Sequence, residues 1–225
     1  RNFNYRNNLI VSANLINECI TYGTKIIFTS SMAVYGDQTP PFTEDKRPQP
    51  IDPYGIAKYA VECDLKLAHE QFGLRYNIVR PHNVLGVYQN IWDRYRNVIG
   101  IFIRKALNGQ PILVYGDGEQ TRAFSDIKYY MEPFDKLLTG HDGETFNIGA
   151  DKHFSLNEVA ITVQTIAAKY GYHVNIEHGE PRHEVKHAFC DHTKAKTLLN
   201  FEDNTNLADL IESVFVWAMK QPNRK

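Results

Sequence analysis

Two short apolar runs that do not alternate, Lys25–Ser30 (KIIFTS) and Arg75–Arg80 (RYNIVR), most narrow the folds open to this chain. A strand with one face in water alternates apolar and polar residues. A β-branched and aromatic run without alternation suits a parallel strand buried on both faces. Between them lies a helical pattern, with Ala57, Ala60, Val61, Leu65 and Leu67 as its apolar stripe. Asp52 can cap that helix, Pro53 is tolerated at its first position, and Gly73 fits its end. The order strand, long loop, helix (53–72), strand implies an α/β fold with a parallel sheet.

The same reading extends along the chain. Residues 5–22 form a helix with Leu9, Ile10, Ala13, Ile16 and Ile20 inward, ending at Gly23. Near Gly86 the composition turns polar and aromatic (QNIWDRYRN, 89–97), marking the exit into a second domain, with Trp92 and Arg94 unassigned. A helix over 99–108, a strand over 112–116 and a strand in TFNIGA follow. Ser155 and Glu158 form a capping pair for a helix over 155–170, then come the strand HVNIEHG and a helix over 207–220.

Three residues carry candidate chemistry: Ser31 at the end of the first strand, and Tyr54 and Lys58 on the helix after it. A free tyrosine, with a pKa of about 10, is a poor base at neutral pH. A cation within about 4–6 Å favours its phenolate. Side chains four residues apart leave the same helix face, so Lys58 can serve Tyr54. Ser31 can hydrogen-bond a substrate oxygen and steer its proton to Tyr54.

Composition excludes several classes. The net charge is −1 and no run of like charges occurs, which argues against nucleic acid or an anionic membrane surface as partner. No apolar stretch approaches the ~18 residues of a membrane-spanning helix, and no signal peptide is visible. Cys19, Cys63 and Cys190, odd in number and widely spaced, read as reduced, mostly buried thiols of a cytoplasmic protein. His183–His187 spells HExxH, a zinc-protease signature, but Pro181-Arg182 precedes it and no amphipathic helix carries it. No metal site is expected.

The segments YRNNLIVSANLI, FTSSMAVYGD, PYGIAKYAVE, RPHNVLG, ILVYGDGEQTRAF, TFNIGA and DHTKAKTLLNF together resemble the extended short-chain dehydrogenase/reductase family. The resemblance is to its nucleotide-sugar epimerases and dehydratases, in the branch of UDP-glucose 4-epimerase. It implies a Rossmann-type parallel sheet (1–85 and 124–152) with a smaller α/β substrate domain (86–123 and 153–225). It implies NAD as cofactor, held by Asn8, Ser30, Tyr54, Lys58 and Pro81. Ser31, Tyr54 and Lys58 would be the catalytic triad. Met32 and Ala33 would line the sugar pocket, Asn83 and Arg122 would hold phosphate, and Tyr115 would lie beside the uracil. Arg182 would be a second phosphate arginine, displaced by one residue from the usual Arg-x-Gly-Asp/Glu spacing. Ala188, three before Asp191 of the DxxKA motif, would set pocket size, and its small side chain would admit a 2-acetamido sugar. A homodimer would form through helices 5–22 and 53–72.

The chain departs from the family in places. No GxGxxG or GxxGxxG turn occurs, so the Gly-rich turn that cradles the cofactor pyrophosphate, with roughly 90 residues of the usual fold, is missing from the pattern. One flank of the sheet would then be open, an aggregation hazard. After QTRAF the family's acidic pair is broken (SDIKYYMEPF), which implies altered helix geometry near Pro133. The family's 4,6-dehydratases carry Asp-Glu directly after the catalytic Ser/Thr. Met32 and Ala33 stand there and transfer no protons, which argues against dehydration. The reading is C4 epimerisation of a UDP-sugar, with an NAD(P)H-dependent 4-ketosugar reductase or a non-catalytic nucleotide-sugar-binding fragment as alternatives.

Overall fold

The computed structural model describes residues 2–92, 97–181 and 185–222. Arg94, Arg182, His183 and Glu184 lie outside the described residues. The helices are α1 (Asn2–Asn4), α2 (Val11–Tyr22), α3 (Pro53–Phe72), α4 (Val98–Leu107), α5 (Met131–Thr139), α6 (Leu156–Lys169), α7 (Thr193–Leu199) and α8 (Leu207–Met219). The strands are β1 (Ile26–Thr29), β2 (Tyr76–Pro81), β3 (Val84–Leu85), β4 (Ile112–Tyr115), β5 (Thr121–Ala123), β6 (Ser125–Asp126), β7 (Thr145–Ile148), β8 (His153–Ser155), β9 (Ile176–Gly179) and β10 (His187–Ala188).

The chain divides into two compact units. The first comprises Arg1–His82, Tyr129–Asp151 and Phe189–Glu202. Its sheet has the order β1-β2-β7, all parallel, with Phe28 opposite Ile78 and Val79 opposite Phe146. Val61, Leu65 and Ala68 of α3 pack with Phe28, Ile78 and Ile16 as its core. Each fully buried Val, Leu, Ile or Phe side chain contributes roughly 1.5–3 kcal/mol.

Several expectations for this unit are corrected. Ile26 and Ile27 are only half-buried and Thr29 is exposed, because β1 is the sheet's edge and pairs with β2 alone among the described residues. The first helix is not uniform: Tyr5–Ile10 is π-helical before α2 begins. The wider turn shifts each residue's angle, so Ile10 is 54% exposed although a 3.6-residue stripe turned it inward. Leu67 is 51% exposed, since it falls roughly 115° round the helix from the middle of the line of Ala57, Val61, Leu65 and Ala68. Of the cysteines only Cys190 is buried; Cys19 is half-buried and Cys63 exposed.

The second unit comprises Asn83–Lys128, Lys152–Ala188 and Asp203–Lys225. It holds the parallel pairs β3–β6 and β4–β9 and a sheet of order β10-β5-β8, in which β8 is antiparallel. Ile103, Val159, Val163, Ile211, Val214 and Phe215, from α4, α6 and α8, are fully buried in its core. The Ser155/Glu158 capping box starts α6.

The unit boundaries differ from the domain limits read from sequence at several places. Residues 189–202 pack in the first unit, because Phe42 N donates to Phe189 O and Asp191 N to Phe42 O. Residues 83–85 and 124–128 belong to the second, through the β3–β6 pairing. The SDIKYYMEPF stretch forms a 3₁₀ turn over Ile127–Tyr130 and then α5, with Pro133 in its first turn, where a missing N–H costs little. Among the described residues no helix is long and apolar enough to cross a membrane.

Candidate active site

The start of α3 is fixed by its cap. The Asp52 carboxylate accepts hydrogen bonds from Tyr54 N (2.7 Å) and Gly55 N (2.9 Å), and Pro53 takes the first helical position. This puts Tyr54 in the first turn and Lys58 one turn on. Lys58 Nζ donates to Thr29 O (2.7 Å) at the end of β1. It lies 5.8 Å from the Tyr54 ring centre and 4.8 Å from that of Phe28. Ser31 follows in extended conformation, and its Oγ accepts from Ala33 N (3.2 Å) to open the 3₁₀ turn Met32–Tyr35.

The helix start approaches this turn closely. A Cβ on Gly55 would sit 2.6 Å from Ala33 O, so only glycine allows the packing. The first unit thus gathers Ser31, Met32, Ala33, Tyr54 and Lys58. Pro81 ends β2, half-buried, and Asn8 lies on the π-helical stretch, where its Nδ2 donates to Asn4 O (3.1 Å). Such stretches occur frequently at functional sites.

Ser30, expected to touch cofactor, is 2% exposed, and its Oγ donates to Glu62 Oε1 at 2.5 Å. Its backbone N–H is used in turn by Val79 O (2.7 Å). Glu62 is wholly buried on α3 and takes two bonds from Arg80, Nε to Oε1 (3.0 Å) and Nη2 to Oε2 (2.6 Å). Arg80 Nη1 donates to Tyr35 Oη (2.7 Å), and Tyr35 Oη donates to Asn147 Oδ1 (2.8 Å). Burial works against the Arg80 charge, yet its bonds to Glu62 hold its pKa above the ordinary value; burial pushes the Tyr35 phenol up.

Sequence reasoning missed Gly55, Glu62, Arg80 and Tyr35. The signal for Glu62 was present, since it continues the four-residue spacing of Tyr54 and Lys58, but nothing in the sequence named its partners. A buried histidine pair with an exposed carboxylate and lysine beside it was also missed. The His82 and His192 rings stack at 4.8 Å, with their Nε2 atoms 2.6 Å apart. Asp151 pairs with His192 Nδ1 (2.9 Å) and Lys196 Nζ (2.5 Å).

In the second unit Asn83, Arg122 and Ala188 come together. Arg122 on β5 is opposite Ala188 on β10, and Asn83 Nδ2 donates to Ala123 O (2.8 Å), the next carbonyl along. Arg122 Nη1 donates to Thr121 O (2.8 Å) and Lys186 O (3.3 Å). Tyr115 is placed apart, at the end of β4 opposite Gly179. His187 lies on strand β10, with Nδ1 2.9 Å from Thr121 Oγ1, so the end of the HExxH stretch is not helical.

A family model described as the NAD dependent epimerase/dehydratase family matches residues 2–149. The chain belongs to that family. It is 32% identical over 218 residues to UDP-N-acetyl-alpha-D-glucosaminuronate decarboxylase of Bacillus cytotoxicus, covering 91% of this chain and 66% of that protein. The crystal structure of UDP-glucose 4-epimerase with UDP-glucose from Thermotoga maritima is similar (TM-score 0.85, 31% identity, 95% of this chain and 69% of that one). So is UDP-N-acetylglucosamine 4-epimerase from Methanobrevibacter ruminantium M1 in complex with UDP-N-acetylmuramic acid (TM-score 0.87, 27% identity, 97% and 70%). The fold is therefore α/β of the Rossmann type. The chain spans 64 to 66% of the length of the curated relatives it matches first.

Proposed function

We propose that this chain carries the catalytic residues of an NAD-dependent UDP-sugar 4-epimerase, acting through a 4-keto intermediate. The carrying observation is Lys58, set between Thr29 O, two residues before Ser31, and the Tyr54 ring. Lys58 supplies the positive charge that favours the Tyr54 phenolate, and that phenolate takes the proton of the sugar 4-hydroxyl. Ser31 hydrogen-bonds the same oxygen. The Lys58 ammonium and Tyr54 phenol, with the Asn8 amide and Pro81, would hold the ribose hydroxyls and carboxamide of a nicotinamide nucleotide. Bound there, NAD supplies reversible hydride acceptance at C4. With that group bound, the 4-keto sugar would turn over to present its other face, and Tyr54 would return the proton to its oxygen. Met32 and Ala33 offer no proton for elimination. Asn83 and Arg122 would bind the diphosphate, the planar guanidinium suiting a bidentate grip. Arg182 would be a second phosphate ligand and Tyr115 the neighbour of the uracil.

Similarity to the B. cytotoxicus decarboxylase favours one second reading. Oxidation at C4 of a sugar bearing a C6 carboxylate gives a β-keto acid, which loses CO2. Proton NMR of the anomeric region, with NAD and UDP-N-acetylglucosamine, UDP-glucose or UDP-glucuronate, separates the two. C4 epimers support epimerisation, and a pentose product from the uronate supports decarboxylation. Silence with all three defeats both. The same reading extends to a homodimer through α2 and α3, supported by the exposure of Val11 (49%), Leu15 (52%) and Leu67 (51%).

A further inference from the structure

We propose that Glu62 and Arg80 are positioning residues, a buried clamp that fixes Ser31 in register with Tyr54 and Lys58. The inference rests on the reading of those three as catalytic. Tyr54, Lys58 and Glu62 follow one another at four-residue spacing on α3. Lys58 grips β1 at Thr29 O, and Glu62, one turn on, grips the next residue at Ser30 Oγ. The helix is therefore fastened to the two residues before Ser31. Arg80 reaches past Glu62 to Tyr35 Oη, in the 3₁₀ turn just after Ser31, and Tyr35 is tied in turn to Asn147 on β7. Ser31 is thus held on both sides by one charged network whose members are at most 2% exposed.

The chemistry gives such a network a reason to exist. A buried carboxylate and guanidinium gain little net stability over a packed apolar pair, whereas their bonds are directional and satisfied only in one arrangement. Proton transfer from a sugar hydroxyl to Tyr54 is steeply sensitive to placement. Gly55 adds the close contact of the helix start with Ala33 O, so register error has little room.

Removing Glu62 or Arg80 alone would leave an unpaired buried charge and unfold the unit. The test therefore uses Tyr35→Phe and Ser30→Ala, which loosen the two ends of the clamp and keep the ion pair. Amide hydrogen exchange of residues 31–36 is compared with that of β2, alongside kcat and KM for UDP-sugar and NAD. The expected result is faster exchange confined to 31–36 and kcat lower by about tenfold or more, with both KM values within about twofold. Ser30→Thr, which keeps the hydroxyl, should restore kcat. Because Tyr35 is fully buried, its variant also separates positioning from cofactor contact. Unchanged kcat in both variants of an active protein overturns the inference, as does faster exchange across the whole sheet. If the unaltered protein turns over no sugar, the functional reading falls and the positioning role falls with it.

Discussion

Ala188 is 7% exposed on β10 and stands opposite Arg122. A tyrosine there would add a ring where a methyl now sits. If this position borders the sugar's C2 substituent, Ala188→Tyr should lower turnover of UDP-N-acetylglucosamine by about tenfold or more relative to UDP-glucose, read by anomeric proton NMR. Equal loss on both sugars would defeat the assignment. A second residue gives a pH signature. Burial holds the His192 imidazole below the ordinary histidine value, against the opposing pull of Asp151. The unfolded chain then binds a proton at about pH 6.5 that the folded chain resists, so this stability is present above that pH and lost as pH falls. Around His192 stand His82, Asp151, Lys196 and Asp191. Both carboxyls are held below their ordinary values, so their own losses come at more acidic pH. The urea midpoint should fall between about pH 7.5 and about pH 5.5, and fall less in His192→Asn. An identical fall in the variant would assign the effect elsewhere. The pairing of Tyr54 with Lys58 could be read because four residues make about one helical turn. The histidine pair could not, since His82 and His192 meet only after folding.

At the scale of elements, α3 was readable end to end because its signals are local: an aspartate cap, a proline start, a buried stripe and Gly73 in the left-handed region. Asp52→Ala removes the acceptor of two backbone N–H groups at the turn that carries Tyr54. It should cost about 1 kcal/mol in urea unfolding and lower turnover as the first turn frays. Full stability would show that Pro53 alone fixes the start. The capping box of α6 was legible for the same reason. The π-helical turn at Tyr5–Ile10 was not, because one wide turn leaves no periodic signal in so short a stretch. The half-burial of β1 was also hidden. Its residue types describe a central strand, whereas exposure depends on what pairs at its other edge.

At the scale of the molecule, the two units are interleaved in sequence, with the chain passing between them after residues 82, 128, 151, 188 and 202. Local pattern reading placed most strands and helices but not residues 189–202, whose ties to Phe42 are distant in sequence. The same geometry sets how the chain folds. β2 is the middle strand of the first sheet, and its second partner, β7, arrives only at Thr145. Asn147, which receives Tyr35 Oη and whose own N–H bonds Glu44, comes with it. In the second unit, α4 meets α6 and α8 in one core although α8 begins at Leu207. Cores built from such separated segments must close long loops before burial rewards them. A chain of residues 1–128 would have β1 and β2 without β7, and α4 without α6 and α8. It should therefore show no cooperative urea transition by circular dichroism and no dispersed amide spectrum, whereas residues 1–225 show both. A sharp transition in the shorter chain would mean that β1, β2, α2 and α3 suffice as a folding unit, with β7 added onto a sheet already formed.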